Sequence, residues 1–296
     1  MKIIFIGSVQ FSSLAIQQVL AIKDVDVIGV VTKSKSLINS DFCSLEGIAK
    51  QYGIPCLTLD LYSSEKVLEW ISSKKPDVVY CFGWSHLLPK ELLTIPPLGV
   101  IGYHPAELPH NRGRHPIIWT LALGLEKTAS TFFFMDEGAD SGDILSQVPI
   151  NVEPSDDAGT LYQKLAESAI SQIKEFTHQL STGTYKRIQQ DHSRASYWRK
   201  RGKQDGEIDW RMASKSIHDL VRALTRPYIG AHCCFEDREV KIWKTELINE
   251  DTVYSSAEPG KVLKVNNGTI LIKCGIGSIR ILEHEFSRLP EEGCYL

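Results

Sequence analysis

The chain is defined first by what it lacks. It contains no Gly-x-Gly-x-x-Gly and no Gly-x-x-x-x-Gly-Lys-Ser/Thr, and only Gly7 stands between the first apolar run and the helical pattern that follows it. A dinucleotide-dependent oxidoreductase and a P-loop nucleotidase are therefore disfavoured. Gly-x-Ser-x-Gly is missing too, Ser85 sits at no nucleophile elbow, and Cys81 falls inside an apolar run, so hydrolytic acyl-enzyme chemistry ranks low. Seven cysteines at 43, 56, 81, 233, 234, 274 and 294 form neither Cys-x-x-Cys nor a zinc-type spacing. An odd count of this kind reads as reduced thiols in a cytoplasmic protein. The opening apolar run is too short for a signal-peptide core, and no run approaches the ~20 residues of a membrane span. Charge of one sign is scarce as well: 21 Lys/Arg face 21 Asp/Glu before Asp205, and 12 face 15 from Asp205 onward. Neither half carries the basic excess with which a protein holds a polyanion, which argues against a nucleic-acid partner.

What the 296 residues do contain is an alternation of short β-branched runs and helical spacings. Strand-like runs at 2–7, 25–32, 55–59, 77–82 and 99–103 alternate with helical patterns at 11–22, 45–52 and 64–73. Repeated βα units of this length predict an α/β domain with a mainly parallel sheet covered on both faces. A further strand over 143–152 and a long amphipathic helix over 158–179 follow. The polar, basic stretch from Ser181 to Gly206 marks a domain boundary, giving a catalytic domain over 1–185, a linker over 186–205 and a second domain over 206–296. The cluster Arg199, Lys200, Arg201 and Lys203 reads as a solvated linker face, with an anionic-substrate contact as the alternative. After a short helix over 214–224, about five short strands suggest a small barrel or sandwich.

In parallel α/β sheets, ligands bind beyond the carboxyl ends of the strands. His104 follows the end of the fifth strand-like run and precedes Pro105, which biases it away from helical angles. An imidazole there is placed to exchange a proton near neutral pH. Taken alone, a hydrogen-bonded structural histidine is the stronger reading. Asp140 changes the weighing: it lies in Asp136-Glu137-Gly138-Ala139-Asp140-Ser141-Gly142, an acidic, glycine-spaced loop between two apolar runs. The loop lacks the bidentate Glu of a calcium loop, so no metal is expected. A His–carboxylate pair with no serine or cysteine nucleophile suits general acid–base work and oxyanion stabilisation.

Four ordered motifs then resemble a known family. Phe82-Gly83-Trp84-Ser85-His86-Leu87-Leu88-Pro89, His104-Pro105-Ala106-Glu107-Leu108-Pro109, Arg112-Gly113-Arg114-His115-Pro116 and Met135 through Leu145 resemble the 10-formyltetrahydrofolate-dependent formyltransferases, among them methionyl-tRNA formyltransferase and the sugar N-formyltransferases. Gly206-Glu207-Ile208-Asp209-Trp210, Arg222-Ala223-Leu224 and Pro259-Gly260-Lys261-Val262 extend the likeness over nearly the whole chain. The resemblance implies a Rossmann-like domain that binds folate, plus a small C-terminal OB-like β domain. It implies 10-formyltetrahydrofolate as formyl donor and no metal. It places the folate against Phe82, Gly83, Trp84, His86, Leu87, Leu88, Arg114, Ile118, Glu137, Gly138 and Asp140. The family's catalytic Asn-x-His with a downstream Asp falls on Gly102, His104 and Asp140.

Gly102 therefore departs from the pattern. An asparagine amide lost from an oxyanion site costs roughly 3–4 kcal/mol elsewhere. Asn111 is the candidate substitute, against the plainer reading of a turn-stabilising residue. Within the family, the acceptor is expected to be a small-molecule amine on an amino sugar, nucleotide-linked or from a nonulosonic acid pathway such as pseudaminic acid. The Arg112–Trp119 stretch most resembles that group. The segment 32–41 also carries only two lysines against one aspartate where the tRNA enzymes have a basic insertion. A tRNA acceptor, a carrier-bound aminoacyl amine and a non-catalytic folate-binding module are the alternatives. Closure over the acceptor and a homodimer contact are the two roles left open for the second domain.

Overall fold

A computed structural model gives the fold, and it describes residues 1–35, 41–248 and 256–296. Residues 36–40, within the segment weighed for a basic insertion, lie outside the described residues. The chain begins β1 (Lys2–Ile6), α1 (Gln10–Leu20), β2 (Asp26–Lys33), α2 (Glu46–Gln51), β3 (Cys56–Leu59), α3 (Ser64–Lys74), β4 (Val78–Cys81), α4 (Lys90–Leu93) and β5 (Val100–His104). It continues with β6 (Arg112–Gly113), α5 (Pro116–Ala122), β7 (Lys127–Phe134), β8 (Ile144–Asn151), α6 (Ala158–Thr182) and β9 (Tyr197–Trp198). Then come α7 (Ser214–Leu224), β10 (Ala231–Phe235), β11 (Arg238–Ile248), β12 (Val262–Asn266), β13 (Thr269–Lys273) and β14 (Ser278–His284).

The large sheet runs in the order β3-β2-β1-β4-β5-β7-β8. Its first five strands are parallel, as the βα alternation predicts, and β7 pairs antiparallel with β5. Residues 105–126, which include α5, join β5 to β7, and the acidic loop then turns β7 into β8 by a tight connection in which the Phe134 N–H donates to the Asp143 carbonyl at 2.8 Å. Ile3, Ile4, Phe5 and Ile6 in β1 are wholly buried, because both faces of a parallel sheet are covered. Each such side chain contributes about 1.5–3 kcal/mol relative to exposure. An aromatic layer of Tyr80, Phe82, Phe132 and Phe176 fills one face, with Phe132 and Phe176 centroids 4.7 Å apart. Val67 and Ile71 of α3 pack with Ile4, Ile6 and Val79 on the other.

The chain forms two compact units, and no single cut separates them: residues 117–127 and 151–162 belong with 199–296 in the second. The expected linker is also corrected, since 186–198 are part of the first unit. There Tyr197 and Trp198 form β9, which pairs in parallel with Arg112 and Gly113 of β6. Within the second unit, five antiparallel strands run in the order β10-β11-β14-β13-β12. Helix α7 buries Ile217, Leu220, Val221 and Leu224, the three-to-four spacing of one helical face. Its own Asp219 pairs with Arg222 at 2.8 Å, and Arg222 Nη1 also donates to the Asp156 carbonyl at 2.8 Å. Among the described residues no helix is long and apolar enough to cross a membrane.

Candidate active site

Side chains two apart on a strand share a face, so β5 presents Gly102 and His104 on the same side. The chain leaves β5 through Pro105 and returns at Asn111, whose φ of 63° is left-handed. That turn aims the Asn111 carbonyl at the imidazole, and His104 Nε2 lies 2.7 Å from it. A carbonyl only accepts, so the hydrogen-bond network assigns the Nε2 proton. The other ring nitrogen, Nδ1, stands 3.5 Å from Asp140 Oδ2, with side-chain exposures of 5% and 21%.

Asp140 is fixed from several directions. Its own φ is 53°, a left-handed conformation. The Gly113 N–H donates to its Oδ2 at 2.8 Å. Gly113 has φ 105°, and a β-carbon there would come within 2.3 Å of the Trp198 carbonyl oxygen, so the close approach of β6 and β9 demands glycine. The rest of the acidic loop holds itself in shape. Asp136 Oδ1 accepts the Gly138 N–H at 3.0 Å and the Ser141 hydroxyl at 2.6 Å. Glu137 reaches out to Lys90 at 2.5 Å, both largely exposed, a pairing of little energetic weight.

The loop after β4 lies on the same unit. Gly83 turns it with φ 70°. His86 stacks on Tyr62 with centroids 4.2 Å apart, and Trp84 meets His86 edge-on at 5.8 Å. The Tyr62 hydroxyl donates to the Leu87 carbonyl at 3.1 Å, while the Leu87 side chain is exposed. Arg114 Nη2 is 3.5 Å from the Ser85 carbonyl. Burial, with the Lys33 and Arg114 cations nearby, holds the His86 imidazole below its ordinary value and keeps it neutral near pH 7. The Trp84 indole N–H is buried without a hydrogen-bond partner among the described residues. Burial pushes the Cys81 thiol up to about 12, so no thiolate is available beneath the site.

Not every expected residue lies in this surface. Phe82 was assigned to the folate, but it is fully buried in the aromatic layer and its carbonyl accepts the Ser12 hydroxyl at 2.6 Å. Leu88 is likewise buried in the sheet's core cluster. Ile118 is buried on α5 in the second unit. Asn111 is at the site through its backbone: its side-chain Oδ1 accepts the Ser196 hydroxyl at 3.3 Å, and its N–H donates to Ser196 Oγ at 2.8 Å. The space at Gly102 is filled by hydrocarbon, since a β-carbon there would meet Met135 Cγ and Phe133 Cζ, each at 2.9 Å.

Sequence reasoning missed the residues that brace the pair. Arg112 is 1% exposed, and Gln190 and Ser196 reach the site from the stretch read as linker. Isolated polar residues in a segment without periodicity give no sequence signal; only the apolar Ile188, paired with Ile144, hinted that the segment adheres to the sheet.

Comparison with known proteins agrees with this architecture. The chain matches the formyl transferase family over residues 1–176 and the formyl transferase C-terminal domain over residues 200–290. It is 31% identical to the methionyl-tRNA formyltransferase of Caldanaerobacter subterraneus over 96% of this chain and 91% of that one. Two solved structures share the fold at low identity. The N-formyltransferase of Helicobacter canadensis, in complex with folinic acid and dTDP-3-aminofucose, aligns with a TM-score of 0.73, 18% identity and coverage of 95% of this chain and 98% of that one. A sugar 3N-formyl transferase, solved with dTDP and 5-N-formyl-THF, gives a TM-score of 0.71, 19% identity and coverage of 98% and 99%. The left-handed turn at Asn111, the buried His104 and the pinned Asp140 thus sit in a chain that belongs to the formyl transferase family.

Proposed function

We propose that the protein moves the formyl group of 10-formyltetrahydrofolate to a primary amine of an amino sugar, with His104 and Asp140 as its catalytic residues. The observation that carries this reading is the 3.5 Å approach of His104 Nδ1 to Asp140 Oδ2, with Asp140 held in turn by the Gly113 N–H. The residues present fit a folate. Tyr62 and His86 stack and Trp84 meets them edge-on, an aromatic cluster suited to a flat ring, and the buried Trp84 N–H lacks a partner among the described residues. Backbone groups of 83–89 and the acidic loop over 136–142 would hold the pterin. The donor supplies an activated formyl carbon; the protein's residues supply proton control around it.

Because Nε2–H is committed to the Asn111 carbonyl, proton exchange by His104 runs through Nδ1. A proton carried on Nδ1 stabilises negative charge developing on the formyl oxygen. Asp140 then takes, through water, the proton that the attacking amine sheds and returns it to N10 as the formyl carbon–N10 bond breaks, so that tetrahydrofolate leaves and the formamide remains. Near Gly102, Met135 and Phe133 supply no donor where the family has an asparagine amide, so the oxyanion depends more heavily on His104.

The acceptor assignment rests on charge. The acidic balance from Asp205 onward, 12 Lys/Arg against 15 Asp/Glu, is ill suited to a tRNA acceptor stem. The full-length likeness to a methionyl-tRNA formyltransferase favours the second reading, a methionyl-tRNA acceptor. Incubating the protein with 10-formyltetrahydrofolate and either nucleotide-linked amino sugars or methionyl-tRNA, with mass spectrometry of the products, separates the two. Formylation of an amino sugar supports the first reading; formylation of methionyl-tRNA alone replaces it with the second.

A further inference from the structure

Gln190 lies outside every motif, yet its side chain makes four bonds of one consistent sense. Its Oε1 accepts Arg112 Nε at 3.2 Å and Nη2 at 2.7 Å. Its Nε2 donates to the carbonyls of Asp140 at 3.0 Å and Gly142 at 2.6 Å. A guanidinium only donates and a carbonyl only accepts, so turning the amide over would lose all four bonds. Gln190 is 4% exposed.

Arg112 orients the amide from behind. Its remaining contacts are the Tyr197 hydroxyl at 2.8 Å and His192 Nδ1 at 3.2 Å. Among the described residues no carboxylate stands within ion-pair distance of it. A buried cation satisfied by neutral acceptors alone is an expensive brace. What it braces is the backbone on either side of Ser141, where Asp140 keeps its left-handed φ of 53°. Strained conformations of this kind persist only where the surroundings over-determine them.

We propose that Gln190 is a positioning residue for Asp140, with Arg112 fixing the sense of its amide. The two N–H groups of Gln190 hold the Asp140 and Gly142 carbonyls, and this aims the Asp140 carboxylate at Gly113 N–H and His104 Nδ1. The assignment rests on the reading that Asp140 works with His104 in formyl transfer.

Gln190→Glu is the discriminating variant. It keeps the volume and the acceptor for Arg112, but removes both N–H donors and sets a carboxylate oxygen against two carbonyls. With 10-formyltetrahydrofolate and the amine that the parent formylates, kcat is expected to fall roughly tenfold or more while KM for the folate stays within about twofold. In an Asp140→Asn background the same change is expected to cost less than about twofold further, because the residue it positions is already disabled. Gln190→Met, neutral and of the same length, is read by the same two criteria if Gln190→Glu does not fold. An active parent with an unaffected Gln190 variant overturns the assignment alone, as does a full loss repeated on top of Asp140→Asn. A parent that transfers no formyl group overturns the functional reading and this assignment together.

Discussion

The Met135 side chain stands where a side chain on Gly102 would begin, its Cγ 2.9 Å from the position of that β-carbon. Phe133 closes the same space from the neighbouring strand, opposite Gly102 in the β5–β7 register. Position 102 is therefore already packed, and an asparagine placed there alone overpacks the sheet. Gly102→Asn is expected to lower stability by about 1–3 kcal/mol. Adding Met135→Ala should recover a substantial part of that loss, as read by urea denaturation of the single and double variants. A fully stable Gly102→Asn single variant would show that Met135 and Phe133 yield freely.

The proposed roles of His104 and Asp140 require both groups in the same step. His104→Gln and Asp140→Asn are each expected to lower kcat by roughly 10²–10⁴-fold. The double variant should be little worse than either single, since the two act as a unit. Steady-state kinetics on the four proteins measures this, and additive losses would separate the two roles.

Gly113 binds the site to the β9 segment. A β-carbon at φ 105° within 2.3 Å of the Trp198 carbonyl must push β6 away from β9 and carry its N–H off Asp140. Gly113→Ala should lose about 1–3 kcal/mol of stability and lower turnover as well. Thermal melts and kcat on the same preparation test the coupling; a drop in neither would mean that the loop accommodates the methyl group.

Two histidines set an acid limit on the second unit. Burial is the main cause that holds His218 and His232 below their ordinary value, with Asp219 and Glu239 opposing in part. His218 Nδ1 is 3.0 Å from the Thr245 hydroxyl. The unfolded chain binds protons at these residues near pH 6.5, where the folded chain does not. Their stabilising contribution is thus present above that pH and is lost as pH falls through their folded values. Urea unfolding of the full chain should give a lower stability at about pH 5.5 than at about pH 7.5, and His218→Gln should flatten the difference. An unchanged slope in that variant would remove His218 from the account.

The sequence carried the parallel sheet because its strands are buried on both faces and read as unbroken β-branched runs; Lys2–Ile6 is the clearest case. Helix α7 was legible to the residue, from Ser214 to Leu224, through its one-sided apolar spacing. His104 and Asp140 stood out because glycine and proline punctuate their surroundings. The reversal of β7 was hidden, since an apolar run does not declare its direction. Gln190, Ser196 and Tyr197 were hidden for a different reason: each acts singly, across roughly 50 to 85 residues of chain, and no local period marks a long-range hydrogen bond. Phe82 adjoins the Gly83 turn in sequence, while strand alternation sends its ring into the core.

The most direct test of the account is formyl transfer itself, measured by mass spectrometry with 10-formyltetrahydrofolate and a panel of nucleotide-linked amino sugars, for the parent and for Asp140→Asn. The account predicts an acceptor that gains one formyl group with the parent and a rate lower by at least roughly 10²-fold with Asp140→Asn. Equal rates for the two proteins, or a parent that formylates no amino sugar, would contradict it.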